Sequence, residues 1–208
     1  ATPPPNEFGC RSWHLGMSSS ASKLVILDRD GVINIDSDEY VKSADEWIPL
    51  PGSLEAIAEL NQAGYQVTVA TNQSGLARGL FTINDLHAMH QKMMDLLAPM
   101  GGRVDSIFFC PHVDEDQCHC RKPLPGLMRD IASRYRKADS AMPLTGVPIV
   151  GDSLRDLEAA TVLGASPHLV RTGKGQKTVD AGVLPAGTVV HADLMAFTKS
   201  LLGSASNT

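Results

Sequence analysis

No stretch of this sequence comes near the ~18 to 20 consecutive apolar residues that cross a bilayer, and its first residues lack the continuous apolar segment of a secretory signal. A membrane-spanning or secreted protein is therefore not expected, and a cytoplasmic location is the default. Also missing is any surplus of basic residues: 18 Lys and Arg face 23 Asp and Glu, for a formal net charge of -5. Such a chain offers no basic stripe to follow a nucleic-acid backbone, although a few local cations suffice to hold a small phosphorylated substrate. Cysteine is scarce, yet three of the four, Cys110, Cys118 and Cys120, crowd into one short segment, which suits a metal better than disulfides. There is no internal repeat, and 208 residues are enough for one domain with a real core.

Residues 1–22, rich in Pro and Ser and without apolar periodicity, are expected to form a flexible leader, and residues 23–208 a single domain. Four apolar runs that end in polar residues, 23–28, 65–71, 106–111 and 147–152, read as parallel strands buried on both faces. Helices are expected over 53–62 with Ser53 as its N-cap, 82–97, 126–137, 154–163 and 193–202, and further strands over 168–172 and 188–191. This alternation predicts an α/β fold, a Rossmann-like three-layer sandwich around a mostly parallel sheet. Ligands of such sheets collect beyond the carboxyl ends of the strands, where Asp28, Thr71 and Asp152 would meet. The gaps between the motifs leave no room for a large cap domain, so short loops, 36–42 and 110–120, would cover the site.

The first strand runs into Asp28 and Asp30, separated by Arg29 and followed by Gly31. Alone, an Asp-x-Asp is as readily a solvated turn as a site. The other strand tips change the balance. Thr71 to Gly75 (TNQSG) offers a hydroxyl and amides for phosphate oxygens, Arg121 and Lys122 bring two cations, and Asp152 and Asp156 two more acids. Acids gathered at one edge repel one another unless a cation sits among them, and an all-oxygen donor set without histidine suits Mg²⁺. With the charge of an incoming phosphate screened, one carboxylate can attack phosphorus and form an aspartyl phosphate. A second, two residues away, can protonate the leaving oxygen and later activate water. Lys122 and Thr71 would hold the oxygens of the transferring group.

The four pieces LDRDG, TNQSG, RKP and GDSLRD, in this order between Lys23 and about Thr172, resemble the motifs of haloacid dehalogenase superfamily phosphatases. The resemblance implies that Asp28 is the nucleophile and Asp30 the general acid/base, that Thr71 and Lys122 bind the phosphoryl group, and that Asp28, the Asp30 carbonyl and Asp152 hold Mg²⁺. Asp156 would support this set without being a ligand. TNQSG followed by Ala77-Arg78-Gly79, together with CRKPLPG, is similar to the heptose bisphosphate phosphatases of that superfamily. This implies removal of the 7-phosphate of a heptose 1,7-bisphosphate on the route to ADP-heptose and the lipopolysaccharide core, with Arg121, Asn72, Gln73 and Ser74 lining the substrate pocket. Ser153 departs from members that carry Lys there. Histidinol-phosphate phosphatases are the alternative, though they differ at Ser74, Ala77 and Arg78; a catalytically silent zinc-stapled binding module is a third reading.

Cys110, His112, Cys118 and Cys120 form two ligand pairs, each with one intervening residue, a set that fills tetrahedral Zn²⁺ and leaves no open position, so the role expected is structural. Spacing alone also admits His119, while the family pattern favours His112. The metal would pin the loop that precedes Arg121 and Lys122. His87 and His90, near Met89, Met93 and Met94, read as core and flank of a helix. RTGKGQKT, 171–178, reads as a flexible surface loop, with a loop that faces the substrate as the lesser alternative, and Arg78 either solvates its turn or binds a second phosphate. The expected partner is a phosphorylated sugar, with no nucleic acid and no membrane, and a monomer is expected.

Overall fold

The structure, a computed structural model, describes residues 23–135 and 140–205, with side chains to residue 203. The expected leader, residues 1–22, lies outside the described residues, as do residues 136 and 137 of the third expected helix. Twelve main elements follow one another. They are β1 (Leu24–Leu27), α1 (Ser53–Gln62), β2 (Gln66–Asn72), α2 (Ile83–Leu97), β3 (Ser106–Cys110), α3 (Gly126–Tyr135), β4 (Pro148–Gly151), α4 (Leu154–Thr161), β5 (Ser166–Val170), α5 (Gly175–Asp180), β6 (Val189–His191) and α6 (Leu194–Ala205).

The strands form one sheet in the order β3-β2-β1-β4-β5-β6, and every pairing is parallel. Alternate side chains of a strand point to opposite faces, and the core divides accordingly. Val25, Leu27, Val67 and Val69 join Trp47, Phe197 and the buried stripe Leu86, Met89, Met93, Leu97 of α2 on one face. Leu24, Ile26 and Ala70 join Met128, Ile131, Leu144 and Ala159 on the other. The three-layer α/β sandwich is thus as the sequence implies. His87 is exposed and His90 half-buried. Burial, reinforced by Arg29, pulls His90 down to about 4, so it stays neutral.

Two expectations need correction. Ser53 is not the N-cap of α1: Gly52, with φ at 77°, turns the chain there, and Ser53 is the first helical residue, its hydroxyl donating to the Ile33 carbonyl at 2.7 Å. The segment 171–178 is not simply a surface loop, because Gly175–Asp180 is helical and Gly175 packs so closely on the Val170 carbonyl that no side chain fits. Among the described residues no helix is long and apolar enough to cross a membrane. From β1 the chain crosses to β2 on one side, while β4 lies on the other. The strand order therefore reverses at β1, and a crevice opens beyond the carboxyl ends of these strands.

Candidate functional site

A cavity of about 230 Å³ occupies that crevice, and Asp28, Asp30, Thr71, Asn72, Gln73, Ser74, Arg121, Lys122 and Asp152 all line it. Its floor is a buried charge cluster. Lys122, 2% exposed, donates from Nζ to Asp156 Oδ1 at 2.6 Å, to the Ala70 carbonyl at 2.7 Å and to Asp28 Oδ1 at 3.0 Å. All three protons of its ammonium are thereby engaged. Asp28 Oδ1 also accepts the Arg29 amide at 2.7 Å, so both of these hydrogen bonds fall on one oxygen and Oδ2 is left to face the cavity chemistry. Asp156 spends its other oxygen on the amide and hydroxyl of Ser153, at 3.0 and 2.6 Å.

Asp28, Asp152 and Asp156 each place a carboxylate oxygen so that the three lie within 4.8 Å of one another. Burial, and then the charge of Asp156, raise Asp28 well above the ordinary carboxylate range despite Lys122. The same two causes push Asp152 up to about 7. Burial also opposes the charge on Asp156, but Lys122 and Ser153 outweigh it and hold Asp156 low. Three buried acids thus share one lysine, and the excess negative charge, offered entirely by oxygens, fits a hard divalent cation such as Mg²⁺. Asp152 is confined on both sides: a Cβ on Gly31 would come 2.1 Å from its Oδ2 and one on Gly173 2.2 Å, while the Lys174 amide donates to that oxygen at 2.7 Å. Gly31 has φ at 79°, which a side chain would also resist.

Asp30 turns its carboxylate away from this cluster. Arg29 grips both its oxygens, at 2.9 and 3.0 Å, and Asn34 and Gln73 donate to it at 2.9 and 2.8 Å. Burial opposes the charge, yet Arg29 and these hydrogen bonds prevail, and Asp30 lies below the usual range. Gln73 therefore serves as a brace, donating also to Thr71 Oγ1 at 2.9 Å, which leaves the hydroxyl proton of Thr71 free to point elsewhere. Asn72 is occupied too: its amide pairs with the backbone of Lys122, at 3.0 and 3.1 Å, and ties the lysine to β2. Two amides that the sequence suggests for substrate are thus held in internal hydrogen bonds at the cavity wall.

Cys110, His112, Cys118 and Cys120 come together at the end of β3, through Nδ1 of the histidine. Their sulfurs lie 3.2 to 3.6 Å apart. That is far too long for a disulfide. It is close to the edge of about 3.8 Å that a tetrahedron of Zn–S bonds of about 2.3 Å would have. His119 is not among the four; its carbonyl instead accepts the Gly126 amide at 3.0 Å. The donor set and its spacing fit Zn²⁺.

The cavity also has walls that motif reading does not single out. Asp36 and Asp38 reach its mouth and share Lys174, at 3.0 and 3.7 Å, which joins the loop after β1 to the start of α5. Arg155, one residue before Asp156, faces the same space. Asp36 and Asp38 belong to the loop 36–42 expected over the site, whereas Lys174 and Arg155 emerge only where loops from separate crossovers meet.

Residues 23–161 match the polynucleotide kinase 3 phosphatase family. The D-glycero-beta-D-manno-heptose-1,7-bisphosphate 7-phosphatase of Bordetella bronchiseptica is 61% identical over 183 residues, covering 88% of this chain and 99% of the relative. That of Pseudomonas putida is 52% identical over 180 residues, covering 86% and 99%. Among solved structures, D,D-heptose 1,7-bisphosphate phosphatase from B. bronchiseptica, complexed with magnesium and phosphate, superposes with a TM-score of 0.83 at 61% identity, covering 88% and 99% of the two chains. With this identity over nearly the whole length of these relatives, the chain belongs to the heptose 1,7-bisphosphate phosphatases, a family of phosphatases within the haloacid dehalogenase superfamily.

Proposed function

We propose that the protein is a Mg²⁺-dependent phosphatase that removes the 7-phosphate of D-glycero-β-D-manno-heptose 1,7-bisphosphate, on the route to ADP-heptose and the lipopolysaccharide core. The observation that carries the reading is the floor of the cavity. There Asp28 keeps one oxygen on Lys122 and Arg29 and the other unbonded, with Asp30 and Thr71 braced beside it by one glutamine. The names of the relatives supply the sugar, its anomer and the position of attack.

In the first step Asp28 Oδ2 attacks phosphorus, and the bond from phosphorus to the sugar oxygen breaks. Asp30 gives that oxygen its proton, and an aspartyl phosphate remains. In the second, Asp30 takes a proton from water as the water attacks the same phosphorus, which frees phosphate and restores Asp28. Arg29, Asn34 and Gln73 favour the carboxylate form of Asp30, the form the second step uses. The arriving phosphate is itself anionic and raises the affinity of Asp30 for the proton it needs in the first. Lys122, turning the proton it shares with Asp28 toward the phosphoryl group, and the Thr71 hydroxyl hold the transferring oxygens as charge spreads over them. Mg²⁺, held by the carboxylates of Asp28 and Asp152 and the carbonyl of Asp30, would screen the phosphate's charge and keep its oxygens in place.

Phosphate release from the heptose bisphosphate and from histidinol phosphate, measured side by side with Mg²⁺, tests the substrate. Turnover of the heptose is expected to exceed that of histidinol phosphate by roughly 100-fold or more. A preference for histidinol phosphate would keep the chemistry and overturn the sugar.

Zn²⁺ held by Cys110, His112, Cys118 and Cys120 would be structural and would shape the loop carrying Asp114 and Arg121. Because Asn72 ties Lys122 to β2 independently, loss of that metal should loosen Arg121 more than Lys122. Cys118→Ser is therefore expected to lose bound zinc and to raise KM roughly tenfold or more, with a smaller fall in kcat. Unchanged KM in a variant shown by metal analysis to lack zinc would refute the coupling.

A further inference from the structure

The mouth of the cavity holds a charge arrangement that the reaction above leaves unused. Arg121 is nearly buried, its side chain 12% exposed, whereas its partner Asp114 is 80% exposed. Asp114 stands on the short helical turn Asp114–Asp116 and accepts from Arg121 Nε at 2.5 Å. A second donation, from Arg121 Nη1 to the His112 carbonyl at 3.3 Å, fixes the plane of the guanidinium. Arg155 is exposed, faces the same cavity and makes no hydrogen bond or close ion pair among the described residues. Arg78 sits on the turn after Ser74, which is tied to this loop by the Ala77 amide on the Pro111 carbonyl, at 3.3 Å. Lys174, another cation at the mouth, is already committed to Asp36 and Asp38.

Two guanidinium groups, Arg121 and Arg155, line the cavity, and the carboxylate that Arg121 holds is mostly in water, so the anion site has a weak occupant. A salt bridge this exposed is worth no more than about fivefold in an equilibrium constant. A phosphate monoester brings three oxygens and nearly twice the charge, and arginine receives it through two parallel hydrogen bonds. We propose that Asp114 is a resident stand-in for the second phosphate of the substrate. It occupies Arg121 in the free protein, and the 1-phosphate displaces it to lie between Arg121 and Arg155. This rests on the bisphosphate reading above and makes Asp114 a specificity-determining residue. A substrate with one phosphate leaves the Asp114–Arg121 pair in place, while a bisphosphate must break it and then collects the freed guanidinium.

The test compares kcat/KM for the heptose 1,7-bisphosphate with that for the heptose 7-phosphate, in the native chain and in Asp114→Asn. Removing the competing charge is expected to raise the ratio of bisphosphate to monophosphate about three- to fivefold, through KM. Because the ratio cancels any loss of active protein, imperfect folding of the variant does not obscure it. An unchanged or lowered ratio would overturn the proposal, the latter meaning that Asp114 positions Arg121 for the substrate. If the native chain hydrolyses the bisphosphate and the ratio fails to rise, only this inference falls. A native chain that leaves the bisphosphate intact sinks the proposed function and this inference together.

Discussion

Asp28→Asn is expected to lose turnover by about 10³-fold or more while the protein remains folded. The amide cannot attack phosphorus, yet it has the shape of the carboxylate and can still accept from the Arg29 amide and from Lys122. The stability effect has a definite sign. Burial and the neighbouring acids raise Asp28 well above its ordinary value. A group raised in this way favours the folded state at low pH and opposes it increasingly as the pH rises through the carboxylate range. At neutral pH without added Mg²⁺ the variant should therefore melt no lower than the native chain. It should also lose most of the gain in melting temperature that Mg²⁺ gives. Thermal melts with and without Mg²⁺, run beside the phosphate assay, check both points. A variant that keeps its activity, or that keeps the full response to Mg²⁺, would remove Asp28 from the role assigned to it.

Lys122→Met combines a large effect on stability with one on catalysis. Methionine fills the volume of the lysine stem but leaves Asp28, Asp156 and the Ala70 carbonyl without their common donor. Removing one partner from a buried ionic cluster costs about 3 to 5 kcal/mol, because the charges left behind remain buried. Much of that loss should depend on pH. Without the ammonium both acids shift upward, so the variant recovers stability as the pH falls and they take up protons, and loses it as the pH rises. Denaturant titrations at pH 5 and pH 8 would show the gap between variant and native chain widening at the higher pH. In the presence of Mg²⁺ the gap should narrow, since the cation supplies part of the missing positive charge. Turnover should fall about 100- to 1,000-fold for want of a donor to the transferring oxygens. A gap independent of both pH and Mg²⁺ would place the role of Lys122 in packing.

The parts of this architecture that are legible in the sequence are those fixed by local chemistry. Apolar runs buried on both faces and ending in Asp28, Thr71 and Asp152 announce parallel strands and their functional edge, because few other arrangements put acids at the end of a buried segment. The Cys/His loop is legible for the same reason, although spacing alone does not separate His112 from His119; the fold does so by bringing the His112 ring to the cysteine sulfurs. What escapes is whatever depends on the meeting of distant loops. Asn72 and Gln73 look like free amides for a ligand, and only the neighbouring strands show that Lys122 and Asp30 already engage them. Lys174 lies in a segment whose glycines suggest an irregular loop. Its role at the cavity emerges only when α5 brings it beside Asp36 and Asp152. The N-cap of α1 lies one residue before the serine that composition favours, because the left-handed turn at Gly52 is a property of the incoming chain.

The confinement of Asp152 between Gly31 and Gly173 bears on the order in which the molecule is built. The Thr172 hydroxyl donates to the Gly31 carbonyl at 2.6 Å across 141 residues of sequence, and this contact closes the wall behind Asp152. A growing chain that has just passed the end of β4 already possesses Asp28, Asp30, Thr71, Lys122 and Asp152. It still lacks the backbone that holds the last of these in place. The acids can therefore be present and paired with the lysine well before the metal position is complete. Competence for the catalysis proposed for these residues would arrive with the strand and helix that follow Gly164, so the final third of the sheet would act as the keystone of a site to which it contributes almost no reacting group.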